Sequence, residues 1–237
     1  MNIRWIGQSG YVLKAGDTQI MIDPYLSDAV NRIAHRPRMV PPSLKPEDVR
    51  VDAIICTHDH ADHLDADAIV RMPVGLHFIT TGKGKDKLAT LGRKNVTVLR
   101  IGESVTVGAF CITAVYAKHT VEAFGVVVRI DDKSLYFSGD TLFNEKLFSV
   151  AKYKPDAAFV CINGKLGNMN VNEAIQVAKK IGAKVNIPNH YGMFASNTED
   201  PKKFTAYVPG GFAMEYGHKY SLEELGDHSL KDFRRLQ

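Results

Sequence analysis

THDHADHLD, residues 57–65, gathers three histidines and three aspartates directly behind the apolar run VDAIIC (51–56). Such residues are costly to bury without partners, and a plain turn is more readily made from Gly, Asn or Ser. The apolar run reads as a buried strand, so His58, His60, Asp62 and His63 sit on a loop leaving its C-terminal end. A tight loop can aim the first two imidazoles at one point and the aspartate with the last histidine at another close by. An extended strand could not, because alternate side chains share one face. The spacing therefore predicts two neighbouring metal sites, and nitrogen-rich ligation with some carboxylate suits two divalent ions of zinc, manganese or iron. A polar loop whose histidines are merely solvated is the competing reading, and it fits poorly in a chain with only nine histidines.

Three more candidate ligands each follow a strand-like run: His119 after FCITAVYA, Asp140 after LYFSG and His190 after VNIPN. Loops at one edge of a sheet sandwich converge, which makes the three a set. His35, His77, His218 and His228 lack that placement and are expected to be surface or core residues. His35 stands apart because it borders a proline-rich stretch.

The strands follow a repeated grammar. NIRWIGQSGYVLKAGDTQIMIDP (2–24) alternates apolar residues between turn signals and reads as a three-stranded meander. RPRMVPP (36–42) can be neither regular helix nor central strand and must be an ordered loop or a mobile flap, and its position makes the flap the expectation. DADAIVRM (65–72) and KGKDKLATLG (83–92) read as helical, with short β segments LHFITT and NVTVLRI after them. Strands return in ESVTVGAFCITAVYA (103–117) and FGVVVRIDDKSLYFSGD (124–140), the latter folded back at Asp131-Asp132-Lys133. NVNEAIQVAKKIGA (170–183) predicts an amphipathic helix capped by Asn170 or Asn172, with Ala174, Ile175, Ala178 and Ile181 on one face and Gly182 as its stop. A strand over KVNIP follows, and Ser221 with Glu224 predicts a capping box for a last helical turn. Two β-rich halves, each with helices to cover one face, predict an α/β fold of four αββα layers, a single domain over residues 1–237.

With 237 residues, 45% hydrophobic and 24% charged, the chain is ordinary for a well-cored globular domain. Its 30 basic and 26 acidic residues leave a net charge of +4 without concentrated basic blocks. That balance argues against a nucleic-acid partner and suits a small anionic substrate better than a polymer. No apolar stretch approaches the roughly 20 residues that span a bilayer, and the amino terminus opens as a strand instead of a signal peptide. The expectation is a cytoplasmic protein with no membrane partner; a homo-oligomer is compatible with the composition. Cys56, Cys111 and Cys161 sit singly in apolar contexts without metal or disulfide spacing, and are expected to be buried small hydrophobes.

THDHADH, His119, Asp140 in SGD and His190 in PNH together resemble the metallo-β-lactamase superfamily of binuclear metallohydrolases, over essentially the whole chain. IDP (22–24), the paired prolines 41–42, INGKLGNMNVNEA (162–174) and IPNHYGMFASNTEDP (187–201) look like its ascorbate-6-phosphate lactonase-like branch. The resemblance implies the metallo-β-lactamase fold, with His58, His60 and His119 on a first metal, Asp62, His63 and His190 on a second, and Asp140 bridging them. It implies a metal-bound hydroxide, available because bound water has its pKa lowered to about 7, attacking an ester, lactone or phosphoester. Asp62 would orient this nucleophile or take its proton. Two departures are visible. Gln8 stands where relatives often carry a histidine, and the lactonase itself is a longer chain, so its substrate does not transfer.

Further candidates flank the ligands. Asp23 in IDP is placed to hold a ligand histidine from behind, or equally to build the turn before Pro24. Asn163, Lys165 and Asn170 in the NGKLGNMN loop, and Tyr191 beside His190, are candidate substrate contacts with loop or cap roles as the alternative. Arg36 and Arg38, with Lys165, would meet a phosphate or carboxylate on the substrate, against the commoner fate of a solvated charge. The expected function is a binuclear metal-dependent hydrolase of a small ester or lactone, and more narrowly of a phosphorylated sugar lactone. A phosphodiesterase or nuclease on the same fold is the alternative, and would be expected to add a basic clamp that the sequence lacks. A redox di-iron protein commonly carries Glu where His60 stands. A scaffold without turnover would have little use for a full ligand set.

Overall fold

The computed structural model describes residues 1–227, so His228 lies outside the described residues. Period-two alternation builds the first sheet. In β1 (Asn2–Gly7), β2 (Gly10–Ala15) and β3 (Thr18–Ile22), the residues Ile3, Trp5, Tyr11, Leu13 and Ile20 enter the central core, whereas Ile6, Val12 and Met21 enter a separate outer cluster. β4 (Ala53–Ile55) is buried on both faces, which explains its unbroken apolar reading. β5 (His77–Thr80) and β6 (Val96–Val98) continue in parallel, and β13 (Lys219–Ser221) pairs antiparallel with β1, giving the order β13-β1-β2-β3-β4-β5-β6. The outer face is covered by α2 (Ala66–Ile69) and α3 (Gly82–Thr90), through Ala68, Ile69 and Leu88.

The second sheet repeats this plan. β7 (Ser104–Val107), β8 (Phe110–Tyr116), β9 (Phe124–Ile130) and β10 (Lys133–Phe137) run antiparallel, then β11 (Ala157–Cys161) and β12 (Val185–Asn189) add in parallel. Between the sheets, Phe137 and Phe159 stack at 4.3 Å, and Tyr11 meets both at 5.1 and 4.8 Å. Full burial of each such ring contributes about 2–3 kcal/mol.

The parallel connections lie outside. One is a 3-10 helix, Glu145–Tyr153, and the other is α4 (Val171–Ile181). Helices thus flank two packed sheets in the four αββα layers expected. In α4 the buried stripe is Ala174, Val177, Ala178 and Ile181; Ile175 is only half-buried, so Val177 takes the place expected of it. Asn170, and not Asn172, caps this helix, and Gly182 ends it in the left-handed conformation at φ 72°. The Ser221–Glu224 capping box forms, with Glu224 N–H donating to Ser221 Oγ at 3.1 Å.

Two expectations need correction. Cys56 and Cys161 are buried, but Cys111 is partly exposed, because its alternating position on β8 faces away from the central core. A short helix, α1 (Ala29–Ala34), precedes the proline stretch, which packs as an ordered loop: Met39 N–H donates to Met193 O at 2.7 Å. No helix among the described residues is long and apolar enough to cross a membrane.

The arrangement that positions the site is the common direction of β1, β3, β4, β8, β10, β11 and β12. Their carboxyl ends open on one edge, where open α/β sheets place their ligands.

Candidate metal centre

The seven predicted ligand side chains meet at that edge. His58 and His60 leave β4, His119 follows β8, Asp140 follows β10 and His190 follows β12. His60 Nδ1 lies 3.0 Å from His58 Nε2 and 3.1 Å from His119 Nε2, so three imidazole nitrogens face one point. A second group sits beside it. Asp62 Oδ2 is 3.4 Å from His190 Nε2 and 3.8 Å from His63 Nε2. Asp140 reaches both groups, with Oδ1 3.2 Å from His63 Nε2 and from His190 Nε2, and Oδ2 3.9 Å from His119 Nε2.

Hydrogen bonds behind the imidazoles set their tautomers. His63 Nδ1 donates to Asp23 Oδ2 at 2.8 Å, which leaves Nε2 free to face the centre. Asp23 is itself fixed by Thr57, whose backbone N–H and hydroxyl both donate to it at 2.7 Å. The Thr57 oxygen lies 3.1 Å from His58 Nδ1 and serves that ring in the same way. His119 Nδ1 donates to Gly167 O at 3.0 Å. A Cβ on Gly167, at φ 91°, would lie 2.9 Å from the His119 ring, so only glycine brings that carbonyl into reach. Gln8, Asp23 and His190 are held in the left-handed region at φ 52°, 43° and 63°, a conformation uncommon outside glycine and concentrated here at one edge.

The electrostatics divide along the same line. Burial, aided by His63, holds His58 well below the ordinary imidazole value, and burial lowers His119 too. Burial also pulls His190 and His63 down, but neighbouring carboxylates outweigh it: Asp140 and Asp62 raise His190 to about 9, and Asp140, Asp23 and Asp62 raise His63 well above its usual range. Burial pushes both carboxylates up, and the facing imidazoles overcome it and keep Asp140 and Asp62 ionised. His63 Nε2 and Asp140 Oδ1 are nevertheless buried without a hydrogen-bond partner. Imidazole nitrogens and carboxylate oxygens converging on common points form a donor set that suits divalent cations. The donor atoms fall into the groups His58-His60-His119, Asp62-His63-His190 and His58-His63-Asp140, each within 4.8 Å.

A cavity of about 490 Å³ opens over His60, Asp62, Asp140 and His190. Arg36 stands on its wall with Val30, Ile33, Ala34 and Leu166, and Asn197 joins them. Other predicted contacts are placed elsewhere. Arg38 donates to the carbonyls of Val40 and Ser27, at 2.6 and 2.7 Å, and covers the Tyr25 ring, so its guanidinium ties the loop together. Tyr191 turns into the core against Trp5, 4.9 Å between ring centres, because the left-handed turn at His190 sends the next side chain the other way. Asn163 is buried and donates to Asn197 Oδ1 at 2.8 Å, and Lys165 donates to Ser196 O at 3.0 Å; both tie the 163–169 loop to the loop after β12. Asn170 uses its side chain as the α4 cap, accepting from Glu173 N–H at 3.1 Å. Asn170→Ala is therefore expected to lower stability by about 1 kcal/mol, read as a shift in Tm, while bound metal per chain stays unchanged. His35 caps α1 at the surface, His77 bonds Thr97 Oγ1 at 2.8 Å, and His218 is exposed.

Residues 18–191 match the family described as beta-lactamase superfamily domain, a span of more than half of the chain that contains all seven clustered side chains. The chain belongs to the beta-lactamase superfamily. A UPF0173 metal-dependent hydrolase of Oenococcus oeni is 28% identical over 231 residues, covering 90% of this chain and 96% of that protein. Among solved structures, Igni18, a metallo hydrolase of Ignicoccus hospitalis, aligns with a TM-score of 0.75 at 22% identity, over 92% of this chain and 97% of that one. An isothiocyanate hydrolase from Delia radicum gut bacteria aligns with a TM-score of 0.78 at 20% identity, over 93% and 99%. These two likenesses establish the fold that the superfamily shares.

Two residues at the centre lie outside the sequence expectation, Thr57 and Asn197, and a third, Gln8, was marked there only as a departure from the resemblance. Thr57 was within reach, since a hydroxyl at a strand end beside a histidine cluster is placed to orient a ring. Asn197 carries no comparable signal, because an amide in a turn usually serves the turn, and the signal at Gln8 was only its place where relatives often carry a histidine.

Proposed function

We propose that this protein is a binuclear metal-dependent hydrolase that cleaves small esters or lactones bearing an anionic group. A phosphorylated sugar lactone, as in the lactonase-like branch, is the narrower form of the same reading. The supporting observation is that Asp140 lies between the two donor groups, 3.2 Å from His63 and His190 and 3.9 Å from His119, at the floor of a cavity sized for a small molecule. His58, His60 and His119 would hold one cation, Asp62, His63 and His190 the other, with Asp140 between them. Divalent cations held there would supply acidified water at neutral pH and Lewis acidity toward the bond being cleaved.

The remaining work falls to the chain. Asp62, ionised and lining the cavity, orients the attacking water or accepts its proton. Val30, Ile33, Ala34 and Leu166 keep water from the substrate's carbon skeleton. Arg36 makes no ion pair among the described residues and meets the anionic group at the rim. A cysteine nucleophile is disfavoured: burial pushes the Cys161 thiol up to about 12 and raises Cys56 too.

The test is a screen of lactones, carboxylic esters and phosphodiesters, some phosphorylated, against protein loaded separately with zinc, manganese and iron. Release of product from lactones or esters supports the reading, and activity confined to phosphodiesters moves the protein to the phosphodiesterase alternative. For an anionic substrate found this way, Arg36→Met is expected to raise KM about tenfold, roughly the value of one charge-assisted contact, with kcat and metal content unchanged.

A further inference from the structure

Gln8, in the turn between β1 and β2, is fully buried and held at φ 52°. Its side-chain nitrogen donates to Asp62 Oδ2 at 2.8 Å. The same nitrogen lies 3.1 Å from Nε2 and 3.4 Å from Nδ1 of His190. Near-equal distances to both ring nitrogens put the amide over the face of the imidazole, so the Nε2 edge of the ring stays directed at Asp140 and Asp62. The backbone locks the same contact, because His190 N–H donates to Gln8 O at 3.3 Å and the Trp5 indole donates to that carbonyl at 3.0 Å.

The amide has one acceptable orientation. Reversed, it would set Oε1 against a carboxylate oxygen at hydrogen-bond distance, two acceptors facing each other. In the orientation present, Oε1 is buried without a partner. The turn thus accepts a left-handed glutamine and an unsatisfied oxygen together, and both keep the N–H on Asp62.

The pattern around the centre gives this contact its meaning. His63 is backed by Asp23, His58 by Thr57 and His119 by the Gly167 carbonyl. Asp62 and His190 have no such partner among the described residues apart from Gln8. Asp62 also sits on a loop with its side chain 17% exposed, the donor in the second group with most freedom to turn away.

We propose that Gln8 is a positioning residue for the second cation: its amide grips the Asp62 carboxylate while lying across the His190 ring, so one side chain sets two of that site's three donors. The proposal rests on the two-cation reading of the centre. It makes affinity at the second site, and not at the first, depend on a side chain that binds no metal.

The test is a titration of the metal-free full chain with zinc against a competing chelator, followed by cobalt loading monitored by absorption. Gln8→Met keeps the length and removes the donor. Gln8→Asn keeps an amide suited to the left-handed turn but is one methylene too short to reach Asp62. Both variants are expected to bind the first equivalent as wild type does and the second about tenfold or more weakly, with the cobalt spectrum altered only for the second equivalent. Unchanged affinity for both equivalents would overturn the proposal, as would equal weakening of both steps, which signals general loosening. Should Gln8→Met fail to fold, Gln8→Asn decides by the same readings. Wild-type protein that takes up a single equivalent would instead contradict the two-cation reading, an outcome distinct from failure of the glutamine.

Discussion

Asp140→Ala is expected to abolish hydrolysis and to empty both cation positions, not one. The carboxylate follows β10 with one oxygen toward His63 and His190 and the other toward His119, so each donor group loses a member when it is cut back. Bound metal, measured by elemental analysis after dialysis, should fall from about two equivalents to well under one. Turnover on any substrate found should drop at least about 100-fold, the upper end of what losing a single outer partner of a metal ligand costs. Circular dichroism of the variant should match wild type, because Asp140 makes no hydrogen bond that holds a strand. A variant that keeps one full equivalent at wild-type affinity would show that Asp140 belongs to one group only.

Asp23→Asn is expected to act on stability and metal affinity together. The asparagine tolerates the left-handed turn at φ 43°, so backbone strain is not the variable. What changes is the number of acceptors. Asp23 receives the Thr57 N–H, the Thr57 hydroxyl and His63 Nδ1–H, all within 2.8 Å and all buried. An amide group cannot accept on both sides, so a buried donor is left unpaired at a cost of about 1–3 kcal/mol. His63 is then free to move its proton to Nε2, the atom that faces Asp62 and Asp140 across the proposed second cation position. Affinity at the second position should fall about 10- to 100-fold with the first much less affected, and Tm should fall in the metal-free protein as well. A drop in Tm without any change in metal affinity would make Asp23 a turn residue alone.

The clustered histidines and aspartates were legible because their chemistry is expensive and their placement regular. A histidine-aspartate cluster behind VDAIIC has few other uses, and His119, Asp140 and His190 each close a strand at the same sheet edge. The meanders and α4 were legible from period-two and capping signals that tertiary packing did not oppose. Short elements were not. The 3-10 helix Glu145–Tyr153 buries only Leu147 and Val150, too few positions to set a period, and α1 buries only Ala29. Nearness in the chain misled at Tyr191, where a left-handed residue reverses the direction of the next side chain. Residue type did not separate roles at Arg38, since a guanidinium beside prolines serves loop carbonyls as readily as an anionic ligand. Gln8 shows the converse: its contact with His190 depends on β1 and β12 of two different sheets coming together, which no local pattern encodes.

The most direct measurement is anomalous diffraction from crystals soaked with zinc, recorded on both sides of its absorption edge. The account predicts two peaks, one within about 2.0–2.2 Å of donor atoms on His58, His60 and His119, the other equally close to Asp62, His63 and His190, with Asp140 touching both. A single peak, or peaks away from these seven side chains, would contradict it.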